Sequence, residues 1–298
     1  MNCKKIVSIT ALSVASLIWG LAFSAQRSAM EQLSPLVFMT LRSLIGSVAI
    51  ASIILLNNII RKKKRPETPA ENKKSLIYGG FFCGIFLAVA GLLQQYGLCR
   101  TTAGKGGFLT ALYIVIVPLL GLFFRKKATF HEWIAVFLSL AGSYLLCSPG
   151  ENESINPGDL MIAGCAIFFA MHIIAVGSFA PDHDTLLLSC IQFITVTVIA
   201  ATAAVTTGEK WCPANIQAAM LPLLFCGILS SGIAFSLQIS AQKNLSPAAA
   251  SIIMSLESVF AVLGGWLLLN ESLSMQEKTG CAIIFAAVIL SQLPPKKA

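Results

Sequence analysis

Runs of about 20 apolar residues recur along the chain, each long enough to cross the ~30 Å hydrocarbon core of a bilayer as an α-helix. Cutting at charges, Pro and Asn/Gly clusters gives, in the first half, Ile6 to Ala25, Pro35 to Leu56, Leu76 to Tyr96, Gly107 to Phe124 and Trp133 to Cys147. The second half gives Gly158 to Gly177, Leu186 to Thr206, Gln217 to Leu237, Pro247 to Leu269 and Thr279 to Leu293. The runs are continuous and about twice the length of a barrel strand, so helices and not strands are expected. Only 11% of the 298 residues are charged, against about 25% in a soluble domain. With 56% hydrophobic residues and a mean hydropathy of +0.80, there is too little polar surface to coat a soluble globule. A soluble enzyme, a disordered chain, a collagen and a coiled coil are excluded on these grounds. The expected fold is an all-α polytopic membrane protein with ten transmembrane helices.

The first run begins like a signal peptide, after Lys4 and Lys5, but it is longer than such an apolar region and carries Trp19-Gly20 near its end. With the N-terminus inside, 15 Lys and Arg fall on the inner side, including Arg61 to Arg65 and Arg125 to Lys127, and 5 on the outer. That asymmetry predicts cytoplasmic N- and C-termini in the cell (inner) membrane. The net charge of +8 is therefore mostly a topology signal; nucleic-acid binding has no domain to support it. The nine Cys are scattered without C-x-x-C or His at ligand spacing and read as apolar packing residues.

The halves resemble each other. Ser16 to Gly20 lies over Ala166 to Ala170, and Leu41-Arg42-Ser43 over Ile191-Gln192-Phe193, both at an offset of 150. Leu93-Gln94 falls on Leu237-Gln238 at 144, and Thr129 and Ala141 on Ser274 and Ala286 at 145. Five spans per half is an odd number, so each helix of the second half is expected to cross opposite to its counterpart. Two inverted five-helix repeats are an architecture of secondary transporters, with the substrate site at the midplane between the halves.

Machinery for covalent chemistry is not legible: there is no nucleophile elbow, H-E-x-x-H or intramembrane carboxylate pair, and no enzyme is expected. The run Thr102 to Gly107 lacks the first Gly and the final Ser or Thr of a phosphate loop and reads as a glycine-rich hinge. Asp182-His183-Asp184 looks metal-like, but Asp184 is placed to cap the next helix. No cofactor or metal is expected. Asn152-Glu153-Ser154 and Asn270-Glu271-Ser272 match the glycosylation pattern by chance as easily as by design. Gly80 and Gly84 form a G-x-x-x-G, and Gly264-Gly265 follows Ala261; these mark close helix packing.

The polar residues inside apolar runs carry the functional signal. Glu257 lies ten residues past Pro247, about 15 Å deep, where an ionised carboxylate costs about 2.5–3.5 kcal/mol. It reads as a proton-coupling or substrate-binding group, or as an interhelical hydrogen bond. Arg42, seven residues past Pro35, reads either as a substrate contact or as a tie to backbone carbonyls. Gln94 and Gln95 end the third span, Tyr113 lies in the fourth and Gln238 follows the eighth; such polar tips suit a wet vestibule. Trp19 reads as an interfacial or packing aromatic or as a stacking platform. His172 reads as a proton relay or as a His satisfied by a backbone carbonyl.

Leu17 to Phe23, Leu41 to Ile45, and Leu256-Glu257-Ser258-Val259-Phe260-Ala261 running to Glu271 resemble the EamA domain of the drug/metabolite transporter superfamily, in both halves. Tyr113 to Leu119 and Gly227 to Gln242 look like a bacterial branch. Two departures stand out: Ser258 where the family pattern usually has Pro after the ninth-helix Glu, which puts a helix distortion there in question, and the basic Arg125 to Lys127 where an acid is frequent. The resemblance implies two EamA repeats, 1–148 and 149–298, around a cavity lined mainly by helices 1, 3, 4, 6, 8 and 9. It implies an exporter or exchanger of small metabolites such as amino acids or drug-like compounds, working by alternating access, with proton coupling an option. On that basis Trp19, Arg42, Gln94, Tyr113, His172, Gln238 and Glu257 form the expected substrate pathway. A flippase of a lipid-linked carrier and a non-transporting membrane component stay as alternatives.

Overall fold

The computed structural model describes residues 3–60, 72–101, 103–123, 128–147, 156–269 and 274–292, and among them there is no strand. The basic clusters at 61–65 and 125–127, both glycosylation-like triplets and part of the glycine-rich hinge lie outside the described residues, as do the side-chain surroundings of Gly264-Gly265. The first half folds into α1 (Cys3–Met30), α2 (Pro35–Ile60), α3 (Lys73–Leu98), α4 (Ala103–Ala111), α5 (Tyr113–Phe123) and α6 (Phe130–Cys147). The second half gives α7 (Pro157–Phe179), α8 (Thr185–Thr206), α9 (Pro213–Ala218) and α10 (Met220–Leu224), then a π-helical stretch (Phe225–Ala234). It ends with α11 (Phe235–Gln242), α12 (Pro247–Met254), α13 (Leu256–Leu269) and α14 (Met275–Ser291). Seven described segments are long and apolar enough to cross a bilayer, and Phe130–Leu146 and Pro247–Leu263 are shorter apolar helices. Length and composition therefore establish a multi-pass helical protein without fixing ten crossings.

Helix starts follow from local chemistry. Asn156 and Asp159 form a capping box with Pro157 in the first turn, and Ser274 and Glu277 form another. Asp184 Oδ1 accepts from the amides of Leu186 (2.9 Å) and Leu187 (3.1 Å), as its position before Thr185 suggests. Losing this cap costs about 1 kcal/mol, so Asp184→Ala is expected to lower the melting temperature in detergent slightly. An unchanged melting curve would mean the cap adds nothing.

Three of the expected runs are not continuous α-helices. The fourth breaks at Leu112, where Val115 N–H bonds to the Leu112 carbonyl at 3.1 Å. The eighth is divided among α9, α10, the π stretch and α11. The ninth breaks at Ser255, although Ser258 replaces the proline that would have explained a distortion. The Ser255 and Ser251 hydroxyls donate to the carbonyls of Ile252 (2.6 Å) and Ala248 (2.8 Å), and such back-bonding bends helices.

Contacts between the halves repeat with exchange of roles. α3 packs on α7 as the π stretch and α11 pack on α1; α3 packs on α8 as the π stretch packs on α2; α1 packs on α13 as α7 packs on α5. α2 with α8, and α6 with α14, join each run to its own counterpart. The Gly80/Gly84 face of α3 meets α8: a Cβ at Gly80 would lie 2.5 Å from Ile191 Cγ2, and one at Gly84 2.5 Å from Thr195 Cβ. The exterior is apolar, with Val198, Leu221, Phe137 and Ile289 exposed, as a lipid-facing surface requires.

Candidate functional site

Inside the bundle is a cavity lined by all seven expected pathway residues, Trp19, Arg42, Gln94, Tyr113, His172, Gln238 and Glu257. It offers about 80 Å³ to the centres of water-sized molecules, room for several waters at ~10–15 Å³ each. The helices expected from the resemblance all contribute, but α2, through Met39, Arg42 and Ser43, and α8, through Phe193 and Val196, contribute as well.

Glu257, at the start of α13, accepts a hydrogen bond at Oε1 from the Tyr113 hydroxyl at 3.1 Å. α1 approaches closely at this level: a Cβ at Gly20 would stand 2.6 Å from the Glu257 carbonyl oxygen. Arg42 is 7% exposed and is held by side chains, not by the backbone carbonyls considered from sequence. Its Nη1 donates to Gln26 Oε1 (2.8 Å), Nη2 to Ser230 Oγ (3.1 Å) and Nε to Ser231 Oγ (3.2 Å). Its guanidinium carbon also lies 5.6 Å from the Phe38 ring centroid. Gln26 Oε1 also accepts from Gln95 Nε2. The π stretch carries both serines to Arg42, in keeping with the frequent placement of π-helical insertions at functional sites.

The amides and rings form the remaining walls. Gln94 Nε2 donates to Thr110 Oγ1 at 3.1 Å, and Gln238 Nε2 to Gln242 Oε1 at 3.0 Å. His172 meets a side chain and not a backbone carbonyl: its Nε2 lies 3.0 Å from Gln192 Oε1. Trp19 and Phe235 meet edge to face at 4.9 Å between centroids. Trp19 Nε1 is buried without an acceptor among the described residues, and Gln238 Oε1 without a donor. Trp19 is thus part of the cavity wall.

Sequence reasoning missed Gln26, Thr110, Ser230 and Phe235 as lining residues. Gln26 belonged to the same helix as Trp19, but the first run was ended at Ala25. The repeat offsets tie two of the others to positions of the opposite half: Thr110 corresponds to Met254 and Gly91 to Phe235 at 144, and all four line the cavity. Three further lining pairs obey the same rule at an offset of 150: Trp19 with Phe169, Phe23 with Ile173, and Ser43 with Phe193. At 144, Gln94 pairs with Gln238 and Tyr113 with Glu257. The Tyr113–Glu257 hydrogen bond therefore joins equivalent positions of the two halves.

An all-helical bundle with an apolar exterior and a polar-tipped internal cavity is what a membrane transporter requires. The chain belongs to the EamA-like transporter family, whose family description matches twice, over residues 6–148 and 156–293. It is 27% identical over 292 residues to an uncharacterized transporter of Archaeoglobus fulgidus, covering 97% of this chain and 87% of that one. It is 26% identical to the uncharacterized inner membrane transporter YedA of Escherichia coli, covering 95% and 90% of the two chains. A solved crystal structure shares the fold, with a TM-score of 0.75 at 17% identity over 96% of each chain.

Proposed function

We propose that the protein is a secondary transporter that moves small metabolites, such as amino acids or drug-like compounds, outward across the inner membrane by alternating access. The observation that carries this reading is the pairwise lining of one cavity by equivalent positions of the two halves. A site built equally from two related halves can change the face it opens to when the halves rock against each other. The helix-exchange pattern of contacts supports two inverted five-helix repeats, 1–148 and 149–298, and ten crossings. The distribution of Lys and Arg supports cytoplasmic termini.

In this reading Glu257 carries the coupling proton, Tyr113 positions it across the repeat interface, and Trp19, Arg42, Gln94, His172 and Gln238 line the pathway. A cavity of this size, lined by buried polar side chains, favours a small solute over a lipid-linked carrier. Purified protein in liposomes loaded with a transported solute is expected to accelerate entry of the labelled solute from outside, because exchange returns the site without an empty reorientation. Failure of amino acids, nucleosides, sugars and cationic drugs alike to exchange would remove the transport reading. Movement of a lipid-linked substrate instead would assign the fold to a flippase.

A further inference from the structure

Two residues of the cavity, Arg42 and Glu257, are of charged type, and neither has a charged counterpart in the other half. Arg42 corresponds to Gln192 at an offset of 150, and Glu257 to Tyr113 at 144. The frame is twofold, but its electrostatics are polar. A buried arginine ordinarily gains a carboxylate partner, because taking its charge out of water is costly. The hydrogen-bond partners of Arg42 among the described residues are instead all neutral oxygens, from Gln26, Ser230 and Ser231.

Those three bonds use three of the five N–H donors of a guanidinium. They fix the plane of the fork and, with the Phe38 ring at 5.6 Å, leave its positive charge without a carboxylate partner among the described residues at a cavity wall. The unpaired Trp19 Nε1 adds a second donor to the same cavity. Beside the polar tips, Phe23, Phe169, Phe193 and Phe235 supply aromatic faces to the lining.

From this arrangement we infer that the cavity takes an organic carboxylate with an apolar or aromatic body, its anionic end bound by Arg42 and its body on the phenylalanines. The inference rests on the reading of this cavity as the transport site. Planar bidentate recognition is the chemistry for which arginine outperforms lysine. The carboxylate can belong to a simple organic acid or to a zwitterionic amino acid. In the first case Glu257 is left to the proton, and in the second it also meets an ammonium.

The test is binding to the detergent-purified full chain by calorimetry, with 3-phenylpropionate, its neutral amide, 3-phenylpropylamine and phenylalanine as probes. The carboxylates are expected to bind roughly 10- to 100-fold more tightly than the amide, the span of a charge-assisted hydrogen bond. Arg42→Gln is expected to erase that preference, and Arg42→Lys to keep part of it. The wild-type comparison of acid with amide needs no variant, so a poorly folding Arg42→Gln does not spoil the test. Binding of phenylalanine but not phenylpropionate would assign the zwitterion as the source of the carboxylate, and the reverse would assign the simple acid. Equal binding of acid and amide, preference for the amine, or no binding of either carboxylate would overturn the inference. Amide or amine binding that Gln94→Leu abolishes would still leave the cavity as the site, whereas no binding together with no solute exchange would remove the transport reading as well.

Discussion

Glu257→Gln is expected to uncouple transport from the proton gradient while leaving exchange intact. A pH difference of one unit supplies about 1.4 kcal/mol per proton, enough for about tenfold accumulation of a solute exchanged for one proton. Wild-type protein in liposomes is expected to reach that ratio and Glu257→Gln to stay near one, with solute-for-solute exchange within a few-fold of wild type. Glutamine keeps the shape and the capacity to accept from Tyr113 but cannot carry a proton. Tyr113→Phe keeps the carboxyl and removes the 3.1 Å hydrogen bond; it is expected to slow transport and retain accumulation. Tenfold accumulation by Glu257→Gln would take this residue out of the coupling mechanism.

The second large effect is structural. α1 and α13 approach so closely at Gly20 that a Cβ there would lie 2.6 Å from the Glu257 carbonyl, 2.8 Å from the Ala261 nitrogen and 2.9 Å from Phe260 Cβ. Two of these are backbone atoms, which cannot swing aside as a side-chain end would. Gly20→Val must therefore push the helices apart beside the carboxyl, at the ~1–3 kcal/mol typical of overpacking or more. The expected result is a markedly lowered melting temperature and loss of transport, with Gly20→Ala intermediate. A valine variant as stable and active as wild type would show that the helices separate there without consequence.

Much of the architecture was legible because lipid leaves few choices. Pro35 and Thr206 bound helices where the apolar pattern put their ends, since charges and turn residues cannot stay in hydrocarbon. The breaks at Leu112 and Ser255 were not legible: apolar character is continuous across both, and the bend at Ser255 depends on which carbonyl its hydroxyl finds. The π stretch was hidden for the same reason, because a shift of backbone bonding leaves no trace in hydropathy.

The site was legible where a residue was costly in its setting. Arg42 and Glu257 stand out in apolar runs because burying a charge demands a reason. Ser230, Ser231 and Gln26 do not, as hydroxyls and an amide near a helix end are tolerated without one. Their role becomes visible only when α2, α1 and the π stretch converge on one guanidinium. On α2 only Arg42 was marked, and Met39 and Ser43 beside it, like Phe193 and Val196 of α8, were not, because apolar and small residues in an apolar run carry no sign of facing a cavity.

In the proposed mechanism this cavity is a solute site that opens in turn to the two faces of the membrane. A single cysteine placed at Gln94 in an otherwise cysteine-free protein, treated with a membrane-impermeant maleimide from one face and then, separately, the other, tests it most directly. Labelling from both faces is expected, slowed on each by the transported solute. Labelling from one face only, or labelling that the solute leaves unchanged, would contradict it.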